Sequence, residues 1–202
     1  MRAVAAGSCA VMSAAALVDP ALFRCVPDAL RFAFNFKHGQ CELSAMARLM
    51  DGDSRAGRGL AGLDGAGNAG FVWSEVDALE PRIRGHILVA RYAARALPCD
   101  CGHACCSNWR PNADWLLAIA EIAETLRTEA LSDCVVNFTL RHIIVRRYFG
   151  VRQSLVDAAS AAGVERHTAG RHADKAIGYL REEERKARYA IEGRLKEAGI
   201  VE

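Results

Sequence analysis

No run in this 202-residue chain is long and apolar enough to cross a bilayer as a helix, which sets aside the membrane-spanning classes first. No stretch alternates apolar and polar residues in the manner of a half-buried strand, so the expectation is an all-α protein. Seven glycines crowd residues 51–70, yet no Gly-Lys-Ser/Thr ending follows them, and the segment does not read as a phosphate-cradling P-loop. The cysteines lack the His-x-Glu that a zinc deaminase needs. A crowded thiol loop beside His103 is also a poor setting for a Cys–His nucleophile pair. The chain is therefore read as a protein other than an enzyme. Net charge is scant too, at +2, so total charge points to no partner.

The distribution of charge says more. Between Arg141 and Arg188 there are 11 Lys/Arg against 6 Asp/Glu, a local balance of +5 that leaves the rest of the chain at −3. A basic C-terminal third on a near-neutral protein is a modest electrostatic footprint for nucleic acid. Hydrophobic residues at 51% and charged residues at 25% argue against wholesale disorder and for a core that this length can bury. Arg2 opens an Ala-rich apolar run to Val18 that only weakly resembles a signal peptide. It is interrupted by Ser8 and Ser13 and has no strong leucine core. It is read as a leader, with Met12 a candidate start and the cytoplasm the expected compartment.

Helical periodicity recurs through the chain. Residues 27–50 place Phe32, Phe36, Leu43, Met46 and Leu49 on one face, with His38-Gly39-Gln40 as an interruption. The glycine segment, from Gly57 to Gly70, reads as a flexible loop. Helix returns over 73–97 on Val76, Leu79, Ile83, Ile87 and Tyr92, with Pro81 marking a helix start nearby and Pro98 ending the segment. Residues 112–130 carry Trp115, Ile119, Ile122 and Leu126 on one face, with Asn112 as the cap. Helix is also read over 137–149 and 153–197. The organisation expected is a flexible leader over 1–26, a helical region with Gly-rich and Cys-rich loops over 27–136, and a helix-turn-helix region with a C-terminal helix over 137–202.

The segment Ser154–Leu180 carries the most specific pattern. Ser154 caps a first helix whose opening turn holds Asp157, a charge that suits the N-terminal end of the helix dipole. Ala158, Ala159 and Ala162 are small enough for a second helix to cross closely. Gly163 stands at the turn, where a positive φ is cheap only for glycine. Val164 anchors the far side. The second helix then presents Arg166, His167, Thr168, Gly170, Arg171 and Lys175 as candidate DNA-contacting residues. Arg166 and Arg171 have the reach for guanine edges or phosphates. His172 occupies a slot that is apolar in most such motifs, so either Ala173 and Ile177 complete the packing or the helix is rotated. An ordinary αα-hairpin is the bland alternative. The tail from Arg181 to Lys196, which contains REEERKAR, reads as a solvated helix face.

Eight cysteines are present, four of them within eight residues at Cys99, Cys101, Cys105 and Cys106. Clustered thiols point to one structural zinc ion rather than to a disulfide framework. The spacing is not a pair of CxxC knuckles, and adjacent Cys105 and Cys106 do not readily face one ion. His103 or Cys134 is the alternative fourth ligand.

From Leu140 to Leu180 the chain, LRHIIVRRYFGVRQSLVDAASAAGVERHTAGRHADKAIGYL, resembles the C-terminal part of the lambdoid phage late-gene antitermination proteins, the Q family. It is also similar to the fourth domain of bacterial sigma factors. In both, a helix ending in a tyrosine and a glycine bend, here Tyr148, Phe149 and Gly150, precedes the helix-turn-helix. The thiol segment is reminiscent of the zinc-bearing members, although its spacing differs from theirs. The resemblance implies a factor that binds double-stranded DNA near a late promoter and loads onto bacterial RNA polymerase so that it reads through terminators. Two alternatives stand beside it: a repressor or activator acting only at initiation, and a helical protein-interaction module. Homo-oligomerisation is left open.

Overall fold

The computed structural model describes residues 21–41, 60, 62–99, 101, 103, 107–133 and 137–202, and among these the chain forms seven helices and one short hairpin. In chain order they are α1 (Val26–Cys41), α2 (Gly62–Asp77), α3 (Ile83–Tyr92), β1 (Ala96–Pro98), β2 (Trp109–Pro111), α4 (Ala113–Glu129), α5 (Phe138–Tyr148), α6 (Leu155–Ala161) and α7 (Arg166–Glu197). The all-α expectation holds in its main sense. Among the described residues no helix is long and apolar enough to cross a membrane.

The short helix α3 sits at the centre. Ile83, Gly85, Ile87, Leu88, Val89 and Ala90 are all buried, and a helix apolar on nearly every side must be enclosed by others. It packs against α4 and α7, with α1 and α2 closing the remaining side. From α4 come Ile119, Ile122 and Leu126, and from α7 come Leu180, Ala187 and Ile191, all essentially without solvent contact. Trp115 adds a directional tie, its indole N–H donating to the Ala90 carbonyl at 3.1 Å. One continuous cluster of buried side chains joins the two regions that the sequence separates at residue 136.

Two expectations need correction. The glycine segment is not a loop throughout, because Gly62 to Gly70 form the first half of α2. The inward positions Gly65, Ala69, Val72 and Val76 follow helical spacing and are buried. Gly65 is small for a reason. A Cβ there would lie 2.7 Å from Phe36 Cε2 and 2.7 Å from the Leu60 carbonyl carbon. The continuous helix expected over 73–97 is also broken, with α2 ending at Asp77, α3 at Tyr92 and a strand following. The strand β1 pairs antiparallel with β2 in the register Ala96↔Pro111, Leu97↔Arg110 and Pro98↔Trp109. Three-residue strands bounded by prolines carry too little alternation to be read as strands. The first helix is described to Cys41; its expected continuation to residue 50 lies outside the described residues, as do residues 1–20 of the leader expected over 1–26.

Asn112 holds the hairpin to the bundle. Its amide donates to the Ala94 carbonyl at 2.8 Å, its backbone N–H donates to the Arg95 carbonyl at 3.0 Å, and its Oδ1 accepts from the Asp114 N–H at 3.0 Å as the cap of α4. This buried cap fulfils the role expected of it.

The tail of α7 overturns its reading as a solvated face, since Glu183 and Glu184 are buried. Arg84 Nε donates to Glu183 at 3.0 Å, and Arg91 grips Glu184 through Nε at 3.0 Å and Nη2 at 2.6 Å. The Tyr148 hydroxyl donates to Glu184 at 2.6 Å, and Arg188 bonds the same carboxylate. The Arg91 guanidinium lies 5.1 Å from the Tyr148 ring centre and 5.0 Å from that of Phe149, a stacked cation. Burial alone would raise the Glu184 carboxyl, but the Arg91 and Tyr148 hydrogen bonds override it and hold it below the ordinary carboxylate range. Burial and the same Glu184 contact push the Tyr148 phenol up to about 12. At the far end the chain closes on itself. Phe23 N–H donates to the Ile200 carbonyl at 3.0 Å, and Glu202 N–H returns to the Phe23 carbonyl at 3.2 Å.

Candidate nucleic-acid interface

The unit formed by α5, α6 and the start of α7 begins with a helix stop. Arg146 and Arg147 carbonyls accept from Val151 and Gly150 N–H groups at 2.9 Å each, and Gly150 takes a φ of +83°. Arg95, from the segment leading into the hairpin, donates to the Phe149 carbonyl at 2.5 Å and to the Gly150 carbonyl at 3.3 Å. The bend is thereby fastened to the hairpin. Ser154 then caps α6, its side chain accepting from the Asp157 N–H at 3.2 Å.

The turn between α6 and α7 uses the same stop. Val164 N–H donates to the Ala159 carbonyl at 2.9 Å and Gly163 N–H to the Ser160 carbonyl at 3.1 Å, with Gly163 at a φ of +65°. No other atom lies within 4 Å of a Cβ placed on Gly163, so the backbone conformation alone calls for glycine there. Ala158, Ala159 and Ala169 are buried where the two helices meet, and Val164 is half-buried against them. Glu165 caps α7, accepting from the Thr168 N–H at 2.9 Å. Backbone N–H groups of His167 and Thr168 hold its carboxyl below the ordinary range.

The six candidate DNA-contacting residues fall into two groups. His167 and Arg171 are exposed on the first turns of α7, on the side away from Ala169, Ala173 and Ala176, and Arg166 is exposed at the first position of the helix, in line with Ala169 and Ala173. Gly170 is half-buried between them and leaves a gap where a backbone can approach. Thr168 and Lys175 have internal engagements. The Thr168 hydroxyl lies 3.3 Å from Glu165 Oε2, and Lys175 Nζ contacts Asp133 at 2.5 Å. Asp174 is exposed on the same side and confines the basic strip to the first turns.

The question of the unusual His172 slot resolves on Ala173, which is buried, while Ile177 and His172 are half-buried. His172 Nδ1 is shielded without a hydrogen-bond partner among the described residues. Burial, then the Arg171 charge, push this imidazole below the usual histidine value, with Lys175 adding to the effect and Asp133 opposing it.

Two arginines beside this unit escaped assignment. Arg152 is exposed just before α6, and Arg147 donates to the Gln153 carbonyl at 2.5 Å. Both border a shallow recess with Gly150 and Ser154. They belong to the basic run noted in the sequence, which was the available signal.

Of the expected metal ligands, Cys99 is half-buried at the end of β1 and Cys101 is exposed. Cys105, Cys106 and the alternative Cys134 lie outside the described residues. The loop that carries the cluster is closed by the Cys99 N–H donating to the Asn108 carbonyl at 2.9 Å. His103 Nδ1 lies 2.8 Å from the Cys101 carbonyl oxygen. Among the described residues no group of three His, Cys, Asp or Glu converges on one point.

Comparison with protein-family models, with curated proteins and with solved structures gives no match for this chain.

Proposed function

We propose that this chain is a sequence-specific DNA-binding transcription regulator, and that it acts on elongation in the manner of a late-gene antitermination factor. The observation that carries the DNA reading is the pair α6 and α7. Their small buried contact residues and Gly163 turn support a helix-turn-helix, and Arg166, His167 and Arg171 stand clear of the core at the start of the second helix. Two exposed arginines on one helix end are suited to guanine edges and flanking phosphates. The elongation reading rests on the resemblance over Leu140–Leu180. Polymerase and the bacterial cytoplasm enter on the same ground.

A structural zinc ion belongs to this reading. The donor set of Cys99, Cys101, Cys105 and Cys106 has the soft-thiolate chemistry that zinc takes, and the four lie within eight residues of sequence. Bound there, the ion would brace the end of the hairpin.

Two assays test the proposal. DNA selected from a random pool should bind the wild type, and Arg166→Ala and Arg171→Ala should each weaken it by about 1–3 kcal/mol with relaxed preference at one base pair. Unchanged binding in both variants would remove α7 as the reading element. Single-round transcription through a terminator, from a promoter carrying the selected site, should give more read-through at constant initiation. A change in initiations alone would assign the protein to the repressor or activator class.

A further inference from the structure

Beside the bend before α6 lies an open groove walled by the hairpin, the start of α4 and the end of α5. Its lining includes Arg95, Trp109, Arg110, Trp115, Arg146 and Val151. Among the described residues its lining holds three arginines and no carboxylate, a balance that favours an anionic occupant. Trp109 is 60% exposed, an unusual placement for the largest apolar side chain, whereas Trp115 is buried and serves the core. Arg110 is exposed on the same strand, and Arg146 Nε is shielded without a hydrogen-bond partner among the described residues. The groove is held rigidly. Asn112 fixes the base of the hairpin, and Arg95 ties it to the Phe149 and Gly150 carbonyls. It also adjoins the recess lined by Arg147, Arg152 and Ser154 at the start of α6, with Val151 bordering both.

We propose that this groove binds a single strand of DNA flanking the duplex site read by α7, with the Trp109 indole stacked on a base and the arginines on the phosphates. The proposal rests on α7 reading duplex DNA. Duplex phosphates would be satisfied by the arginines alone. The exposed indole is the feature that calls for an unpaired base, since every base offers a π-face and stacking needs no particular sequence. Together the two surfaces make a bipartite site suited to a junction between duplex and melted DNA.

The test compares the selected duplex with blunt ends, the same duplex carrying a tail of about ten thymidines at either end, the thymidine oligomer alone and a uridine oligomer of equal length. Fluorescence anisotropy reads affinity, and tryptophan emission reports on the exposed indole. A tail on one end should tighten binding roughly 5- to 150-fold, the range that one stacked base supplies. The free thymidine oligomer should quench the emission. Trp109→Ala should remove the gain from the tail and leave blunt-duplex affinity as it was, Trp109→Phe should keep part of it, and Arg110→Glu should reduce it. Circular dichroism and urea midpoints equal to wild type would exclude misfolding. Equal affinity for blunt and tailed duplexes overturns the groove while leaving α7 intact. Tail binding that depends on Trp109, without any blunt-duplex binding, overturns the α7 reading and keeps the groove. A preference for the uridine oligomer overturns DNA as the occupant.

Discussion

Glu184 is the point at which removal of one group should matter most. Its buried carboxylate joins Arg91 on α3, Tyr148 on α5 and Arg188 one turn further along α7, so three helices converge on two oxygen atoms. Removing one partner of a fully buried pair costs about 3–5 kcal/mol because the other charge is stranded. Here the Arg91 side chain keeps 30% of its exposure and that of Arg188 keeps 53%, so water reaches the orphaned cations and the cost shrinks. We expect Glu184→Ala to cost about 2–3 kcal/mol and Glu184→Gln, which preserves the volume and the Tyr148 contact, about 1–2 kcal/mol. Urea unfolding at neutral pH, read as a change of midpoint at constant slope, measures both. A cycle with Arg91→Met should return a coupling of about 1–2 kcal/mol. The pH dependence provides an independent arm. A carboxyl depressed in the fold adds stability that is present above the unfolded value of about 4.3 and is lost as pH falls through its folded value. The gap between wild type and Glu184→Gln should therefore close on acidification below about pH 4. Midpoints of both variants within about 0.5 kcal/mol of wild type at neutral pH would show that the junction is incidental.

Three further outcomes are expected. Gly163→Ala should cost about 1–2 kcal/mol through its positive φ alone, whereas Gly178→Ala, in the interior of α7 with open space around it, should stabilise by about 0.5–1 kcal/mol; thermal unfolding distinguishes them. Native mass spectrometry should show one zinc ion per chain, lost in Cys101→Ser, and metal-free protein with full DNA binding would refute the zinc. Burial lowers His86, His142 and His172 below the usual histidine value. The unfolded chain then takes up protons first, near pH 6.5, and stability should fall as pH drops below that value, less steeply in His172→Leu; a flat urea midpoint between about pH 7.5 and 5.5 would contradict this.

What the sequence made legible follows the range of each interaction. The caps made by Asn112 and Ser154 and the turn at Gly163 involve backbone groups two to five residues apart, and each performs the role its local pattern implied. The helices over 112–130 and 137–149 were legible for the same reason, since their apolar spacing is a local property. Glycine content hid α2. The inward series Gly65, Ala69, Val72 and Val76 is periodic, but glycines on both faces of its first turns mask the period. The hairpin escaped because its register depends on pairing across the cysteine loop rather than on side-chain alternation. Glu183 and Glu184 were misread because what buries them is remote: Arg84 lies 99 residues from Glu183, and Arg91 lies 93 residues from Glu184. A run of alternating charge looks the same whether it faces water or a distant cation. The groove beside Trp109 likewise needs the end of α5 brought against the hairpin, which no local pattern states.

The long helix α7 connects these remote contacts to the proposed DNA-reading residues. Its 32 residues span about 48 Å at 1.5 Å per residue, and no glycine-rich or proline-containing joint interrupts it. Small residues, Ala169, Ala173 and Ala176, face the interior near its start, where α6 crosses closely. Leu180, Ala187, Ile191 and Leu195 follow, seated in the main core. The residues proposed to contact DNA and the residues anchored among α1, α2 and α3 therefore belong to one rod. The Glu183 and Glu184 contacts fix its rotation about its own axis, because turning it would drag both carboxylates away from Arg84 and Arg91. Arg95 adds a second fastening, between the hairpin and the bend before α6. A reader tethered by a flexible linker lets the rest of its protein wander relative to the DNA. In this chain, docking of the first turns of α7 would dictate where the hairpin groove and the opposite face of the bundle stand along the duplex. A factor that must hold a strand of DNA and a polymerase surface in fixed relation requires that rigidity, whereas simple occlusion of a promoter does not.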